Sequence, residues 1–584
     1  MSGLFGFSGP ADPELSNRIG QALAHRGRRI QAQDQGDRAT TVFLSDHPPD
    51  TLDRLGSGLF IHPHHDLSIA LSGQVLAPLP DEGPILEHLL ERYLEEGVTL
   101  FAQLRGAFVL VIRDGAALHL VRDGVGARTL YWGQHAGRTF FSVEAKGLLA
   151  VPGYPRRLRP AALAQYLSFS FVPGAGTMLE DVQELLPGHH LTLREDQAPE
   201  LRRWFHFEDP PEAEEMSDQD WVERFAALHA DAVRERIPDS EPVATFLSGG
   251  LDSSIVVAEL RSQGVPSPRT FSIHFGPDYP NELPFARAVA ERCGADHSEV
   301  LIEPRSFLPR LRSAVWSMDE PIGDPITIPN FELARQVGRE FRWVFNGEGG
   351  DPVFGGPKNF TMLLHHWYEA GDRAPGFRER RYLESYRRAY TELDHLLTPD
   401  LRGSVNKRED LEGILTPFFE TDRPVSFLHK LLAINIRLKG AHLILPKVER
   451  MLGAWGVTPL SPLFDERLVR LAFAMPGRMK LRHGIEKVVL KQAYAGRLPA
   501  EVIERPKSGM RVPVHFWFQG ELRKTARHLL SKRKVKQAGL FEPDRVQQLL
   551  NYSIKQGPGR YGLRLWMLVT FEIWRRLVIE GEAL

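Results

Sequence analysis

The chain has 584 residues, with 72 Lys+Arg against 74 Asp+Glu and a single cysteine, Cys293. At roughly 100–200 residues per domain, that length predicts two to four domains able to bury cores without staples or metals. Near-zero net charge gives no global field for nucleic acid or an anionic membrane, and a lone thiol excludes an intrachain disulfide framework, so a reducing cytoplasm is the expected compartment.

No stretch approaches the roughly 18 apolar residues of a membrane span, and the start MSGLFGFSGP lacks the layout of a signal peptide. Ser2 is small enough to permit removal of Met1, and Leu4, Phe5 and Phe7 read as a strand that begins at once. Residues 1 to about 205 alternate short apolar runs (GLFGFSG, LSIALSGQVL, GAFVLVIRDG, ALHLVRDGVG, RTLYWGQ, RTFFSVEA) with Gly/Asp turns, and helical spacing intervenes at 84–97 and around 160–168. The pattern predicts two antiparallel sheets with flanking helices. The acidic, turn-rich stretch 207–220 reads as a linker. From 221, short apolar strands (VATF, RTFSIHF, RWVF) alternate with helices, which predicts a parallel sheet whose ligands sit at the strands' carboxyl ends. After Gly356 the chain reads as mostly helical, with Arg-rich amphipathic stretches such as 379–391. The expected domains are therefore 1–206, a linker over 207–220, and 221–584.

The most informative segment is FLSGGLDSS, residues 246–254, where a buried strand feeds a Gly-rich turn that opens a helix. Gly249 and Gly250 let backbone N–H groups approach a polyphosphate, and the helix N-terminus adds positive dipole. Ser248, Ser253 and Ser254 offer further donors beside Leu247, and Asp252 offers a hard oxygen for Mg²⁺. No Lys follows the glycines, so this is not the loop of kinase-like NTPases.

SGGLDSS resembles the pyrophosphatase-type loop of the asparagine synthetase family, ligases that split ATP to AMP and pyrophosphate. FNGEGGDPVFGG (345–356), DEPIGDPITIPN (319–330), GIEKVVLKQA (484–493) and RPKSGMRVP (505–513) are similar to further family segments. The resemblance implies that Asp252 and Asp351 bind Mg²⁺ and that Lys487 neutralises charge on departing pyrophosphate. It also implies that the backbone at Ile273 and Gly347 holds adenine and ribose, and that Glu348 takes a proton from the attacking amine. The implied reaction is adenylation of a carboxylate followed by amide formation, with ATP and Mg²⁺ as cofactors.

The N-terminal segments MSGLFGFSG, AHRGRR (24–29), LRGAFVLVIRD (104–114), VRDGVGARTLYW (121–132) and FFSVEAKGLLA (140–150) resemble class II glutamine amidotransferases, which implies an N-terminal-nucleophile sandwich. That family attacks glutamine with a thiol at residue 2, where this chain has Ser2. The family's Asn-Gly-Glu segment aligns with Ser72, Gly73 and Gln74, and its nearby Arg is missing from HHDLSI (64–69). Losing one oxyanion donor costs about 10²–10³ in rate in other hydrolases, so this half is expected to be a degenerate glutaminase. The His62, His64, His65, Asp66 cluster reads as a solvated loop rather than a metal site.

Leu460 stands where the family's substrate-region Arg would be, whereas Glu348 is the residue typical of asparagine synthetases. The expected partners are a small-molecule or peptide carboxylate and an amine, with no nucleic acid and no membrane, and a homodimer is left open. Asparagine synthesis from ammonia or glutamine, a β-lactam or lasso-peptide type of cyclisation, and a non-catalytic scaffold all stay open as alternatives. Cys293 falls on a predicted helix as a buried small side chain.

Overall fold

In the run AFVLVI, residues 107–112, apolar side chains follow one another without polar alternation, as a strand covered on both faces requires. The computed structural model, which describes residues 2–36, 38–208, 216–239, 241–368, 374–386, 388–424, 426–507, 509–555 and 561–584, shows both covers. Val109 and Val111 pack with Leu4, Phe43 and Phe141, while Phe108, Leu110 and Ile112 pack with Leu89, Leu90 and Tyr93 of the helix Ile85–Glu96.

The first group belongs to two six-stranded sheets stacked face to face. One runs in the order β10 (Gln183–Glu184), β8 (Tyr131–His135), β9 (Arg138–Ser142), β1 (Ser2–Ser8), β3 (Ala39–Ser45) and β2 (Ile30–Gln35). The other runs β12 (Glu200–Arg203), β11 (His189–Arg194), β7 (Ala117–Arg122), β6 (Arg105–Asp114), β5 (Leu67–Ala77) and β4 (Gly58–Ile61). Their pairings are antiparallel, as the alternating pattern and short turns predict. This is the N-terminal-nucleophile-type sandwich.

The second architecture is a five-stranded sheet in the order β15 (Asp296–Leu301), β14 (Arg269–His274), β13 (Val243–Phe246), β16 (Trp343–Phe345) and β17 (Thr458–Leu460). β13 pairs in parallel with β14 and β16, and β14 with β15. Parallel neighbours need crossovers, supplied by the helices Leu251–Ser262 and Leu283–Cys293. Cys293 ends the second crossover, buried as expected. The expected Arg-rich helix over 379–391 is shorter at its C-terminal end: a helix spans Phe377–Tyr386. A hairpin, β18 (Leu481–Arg482) and β19 (Ile485–Glu486), precedes the helix Val488–Ala493.

The chain divides into two compact units that are not contiguous in sequence. The first comprises Met1–Arg157, Gly174–Phe207 and Gly440–Thr458; the second comprises Leu158–Pro173, Glu208–Lys439 and Pro459–Leu584. The sequence reading placed 160–168 in the first domain. The helix Pro160–Phe169 is instead buried nearly all round within the second unit, where the Tyr166 hydroxyl bonds the Met567 carbonyl at 3.1 Å and Thr570 Oγ1 at 3.0 Å. A helix apolar on every face needs partners on every face. Of the expected linker 207–220, residues 209–215 lie outside the described residues, and a capping box at Ser217 opens the helix Asp218–Arg234. Among the described residues no helix is long and apolar enough to cross a membrane.

Candidate active site

β13 ends at Phe246, and the next four residues turn the chain into the helix Leu251–Ser262. Leu247 still donates its N–H to the Phe271 carbonyl at 2.9 Å, so the turn starts from the sheet itself. Gly249 has φ +75°, and a Cβ there would lie 2.8 Å from the Ala286 nitrogen, so no other residue fits without strain. The hydroxyls close the loop: Ser253 Oγ accepts from Ser248 N–H at 3.1 Å, and Ser254 Oγ donates to the Gly250 carbonyl at 2.7 Å. What remains directed outward is the N-terminal backbone of a three-turn helix, with its positive dipole.

The loop after β16 lies against this helix start, since a Cβ on Gly347 would come within 2.4 Å of the Ser253 nitrogen. Asn346 anchors it. Its N–H and Nδ2 both donate to the Leu460 carbonyl, at 3.0 and 3.2 Å, and its Oδ1 accepts from Glu348 N–H at 3.1 Å. Glu348 is thereby fixed at its backbone and half-buried. Ile273 is buried near the end of β14, one strand from β13.

Four charged side chains meet at the helix start. Lys487 Nζ donates to both Asp252 oxygens, at 2.7 and 2.6 Å, and pairs with Asp351 Oδ1 at 2.5 Å. Lys507 Nζ stands 3.4 Å from Asp252 Oδ2 and 3.8 Å from Asp351 Oδ2. Burial alone would raise the Asp351 carboxyl, but Lys487 and Lys507 hold it well below the usual carboxylate range. Burial alone would lower Lys507, and the two aspartates instead keep its ammonium firmly protonated. Beside them Arg505 pairs with Glu282 at 2.9 Å and stacks on Phe285.

The carboxylates fit a hard divalent cation that keeps phosphate or water oxygens for its other positions. The space around them exists because glycines vacate it: a Cβ on Gly350 would lie 2.1 Å from Asp252 Oδ1, and one on Gly356 2.8 Å from Asp351. The structure thus brings together Asp252, Asp351 and Lys487, named from the sequence. It adds Lys507, Asn346 and the Arg505–Glu282 pair, which the sequence reading did not single out; the lysine of RPKSGMRVP was the available signal.

In the first unit the expected glutaminase residues also meet. Ser2 and Ser72, from the two facing sheets, bring their hydroxyls within 2.9 Å, and Ser57 Oγ lies 3.2 Å from Ser2 Oγ. Ser57, which no motif announced, accepts from Gly73 N–H at 3.2 Å and donates to the Leu71 carbonyl at 3.1 Å. Gly73, at φ +126°, would place a Cβ 2.1 Å from the Ala107 carbonyl. Gln74 follows on β5, opposite Ala107.

Arg26, from AHRGRR, is fully committed. Its Nε donates to Glu144, and its terminal nitrogens donate to Glu449, Nη2 at 2.8 Å. Arg128 adds a 2.9 Å bond to Glu449, while His25 and Lys146 hold Glu144. The His62 cluster is a turn: His62 Nδ1 accepts from the N–H groups of His64 and His65, and Asp66 pairs with Arg113. No group of three or more metal-ligating side chains occurs among the described residues.

A Gly-rich strand-to-helix turn with convergent carboxylates and ammoniums, in a chain that also carries an N-terminal-nucleophile sandwich, defines a carbon–nitrogen ligase with an amidotransferase-type domain. Residues 224–576 match the asparagine synthase family and residues 86–205 match the glutamine amidotransferase domain. The chain belongs to the asparagine synthase family, whose members are ATP-dependent amidation ligases. It is 26% identical over 525 residues to glutamine-hydrolyzing asparagine synthetase 1 of Bacillus subtilis, covering 85% of this chain and 81% of the relative. It is 26% identical over 446 residues to glutamine-hydrolyzing asparagine synthetase 3 of the same organism, covering 72% and 70%. Amidase chyE of Penicillium rubens is 29% identical over 309 residues, covering 48% of this chain and 45% of the relative.

Proposed function

We propose that this ligase activates a carboxylate as an acyl-adenylate and passes it to an amine, without efficient glutamine hydrolysis. The convergence of Asp252, Asp351, Lys487 and Lys507 at the start of the helix Leu251–Ser262 carries the reading. The substrate carboxylate attacks the α-phosphorus of ATP, the bond to the bridging oxygen breaks, and the electron pair departs on pyrophosphate. Lys487 and Lys507 neutralise that departing charge in a site of low dielectric, where a fixed ammonium acts more strongly than in water. Asp252 and Asp351 would hold Mg²⁺, which supplies charge neutralisation on the phosphates. The amine then attacks the acyl carbon, AMP leaves, and Glu348 takes the amine's proton. A cytoplasmic location belongs to the same proposal.

The first unit supports the absence of efficient glutaminase activity. Ser2 is hydrogen-bonded into a trio of hydroxyls, and Gly73 N–H is held by Ser57. A hydroxyl is far less acidic than a thiol and depends more on its base. The names of the B. subtilis relatives favour a second reading, asparagine formation from aspartate with ammonia or glutamine.

ATP–pyrophosphate exchange with a panel of carboxylates, aspartate and acidic peptides included, tests the ligase. Exchange that disappears in Lys487→Ala supports it, and no exchange with any carboxylate leaves a non-catalytic scaffold. Ammonia release from glutamine at a rate typical of thiol enzymes would refute the claim for the first unit.

A further inference from the structure

Lys480 is a fully buried lysine that the reaction does not use. Its Nζ lies 2.9 Å from His429 Nε2, on the helix Phe427–Ile434, and donates to the Met475 carbonyl at 2.6 Å. No carboxylate pairs with it among the described residues. Removing an ammonium from water without a counter-charge costs several kcal/mol, and burial accordingly pulls Lys480 down to about 7 and, with Lys480 adding, His429 down to about 3. A methionine would fill the same space without that penalty, so the amine needs a reason to be there.

The backbone supplies one. The Lys480 carbonyl accepts the N–H of Lys487 at 2.6 Å, closing the base of the β18–β19 hairpin. Lys487 itself sits in the left-handed region, φ +55° and ψ 40°, a conformation disfavoured for a side chain beyond glycine. The hairpin holds it there and so directs Nζ at Asp252 and Asp351. The same hairpin reaches the second ammonium, because Glu486 accepts the N–H of Lys507 at 3.1 Å.

We propose that Lys480 is a positioning residue of the nucleotide site: its amine bolts the hairpin base to His429 and to the Met475 carbonyl, and thereby holds Lys487 over the two aspartates. The proposal rests on the reading that Lys487 meets the ATP phosphates.

Calorimetric titration of the full-length protein with inorganic pyrophosphate and Mg²⁺ tests both. Lys487→Ala should weaken binding by about 100-fold and Lys480→Met by about 10-fold, and the double variant should bind no more weakly than Lys487→Ala, as residues acting through one contact are not additive. Backbone hydrogen exchange over 481–487 should quicken in Lys480→Met. Equal losses from Lys480→Met in both backgrounds, or unchanged exchange in the hairpin, would make Lys480 a structural residue and overturn the proposal. Undiminished pyrophosphate binding by Lys487→Ala would instead overturn the reading beneath it, and hairpin exchange would then decide alone whether Lys480 fixes residue 487. Should Lys480→Met fail to fold, His429→Leu removes one of the two anchors and permits the same comparison.

Discussion

Each unit gathers arginines or lysines around two carboxylates, yet the two clusters are built for different ends. In the first unit Arg26 and Arg128 meet Glu144 and Glu449 where the Glu144 side chain is 0% exposed and that of Glu449 4%. In the second, Lys487 and Lys507 meet Asp252 and Asp351 with 37% of the Asp351 side chain open to solvent. A closed cluster with its bonds satisfied can only hold the fold together. An open one, whose lysines present compact point charges, can exchange its internal pairs for a polyphosphate and a cation. The hydroxyl trio at Ser2, Ser57 and Ser72 belongs with the closed kind, since its members bond one another and the carbonyls of Leu71 and Ser2.

The comparison breaks most visibly at Glu449. Glu449→Ala takes a buried carboxylate from both Arg128 and Arg26, which keeps only Glu144, and should lower unfolding free energy by about 3–5 kcal/mol in denaturant titration, while ATP–pyrophosphate exchange per folded molecule stays near the parent value. Lys487→Ala should do the reverse, with exchange falling by about 10²–10³-fold and the thermal midpoint little changed. If either variant moves both quantities equally, the division between structural and chemical charge is wrong.

Acid sharpens it further. Burial would raise Glu184, but His442 and Arg122 bring it down to about 2. Its carboxylate therefore stabilises the first unit above the unfolded value near 4.5, and that contribution, on the order of 3 kcal/mol, is lost as pH falls from about 5 toward 2. Glu184→Gln should flatten that limb in unfolding measurements at graded pH.

Two small effects complete the series. Ser2→Cys, with Met1 removed, should release no measurable ammonia from glutamine, because Gly73 N–H stays occupied by Ser57; a thiol-type rate would show that the site is closed only by its nucleophile. Cys293, raised by burial, should resist alkylation in the native protein and react only after unfolding, as mass spectrometry would record.

Much of this was legible before any coordinates. Gly249 after an apolar strand announced the tight strand-to-helix turn, since few other residues permit its backbone at φ +75°. GAFVLVIRDG read as a strand, and Asp252, Asp351 and Lys487 stood out from their motifs, although their pairing with one another came only from the structure. Ser57 carried no signal, because a hydroxyl 16 residues from the N–H it accepts acquires meaning only when β4 and β5 pair. Arg26 could not be matched with Glu449 across 423 residues, nor could the helix Leu445–Gly453 be assigned to the N-terminal half. Periodicity reports which face of an element is apolar and says nothing of which distant surface covers it.

By itself the sequence determined the two fold classes, the position of the Gly-rich strand-to-helix turn and the serine at residue 2, because each depends on local backbone freedom, periodicity or residue identity. The tertiary structure decided which charges face one another, that Lys507 joins Lys487, that Lys480 sits buried under their hairpin, and that Gly440–Thr458 completes the first unit. Those are matters of distance between side chains remote in the chain, and electrostatic and hydrogen-bond energies act only once folding has set those distances.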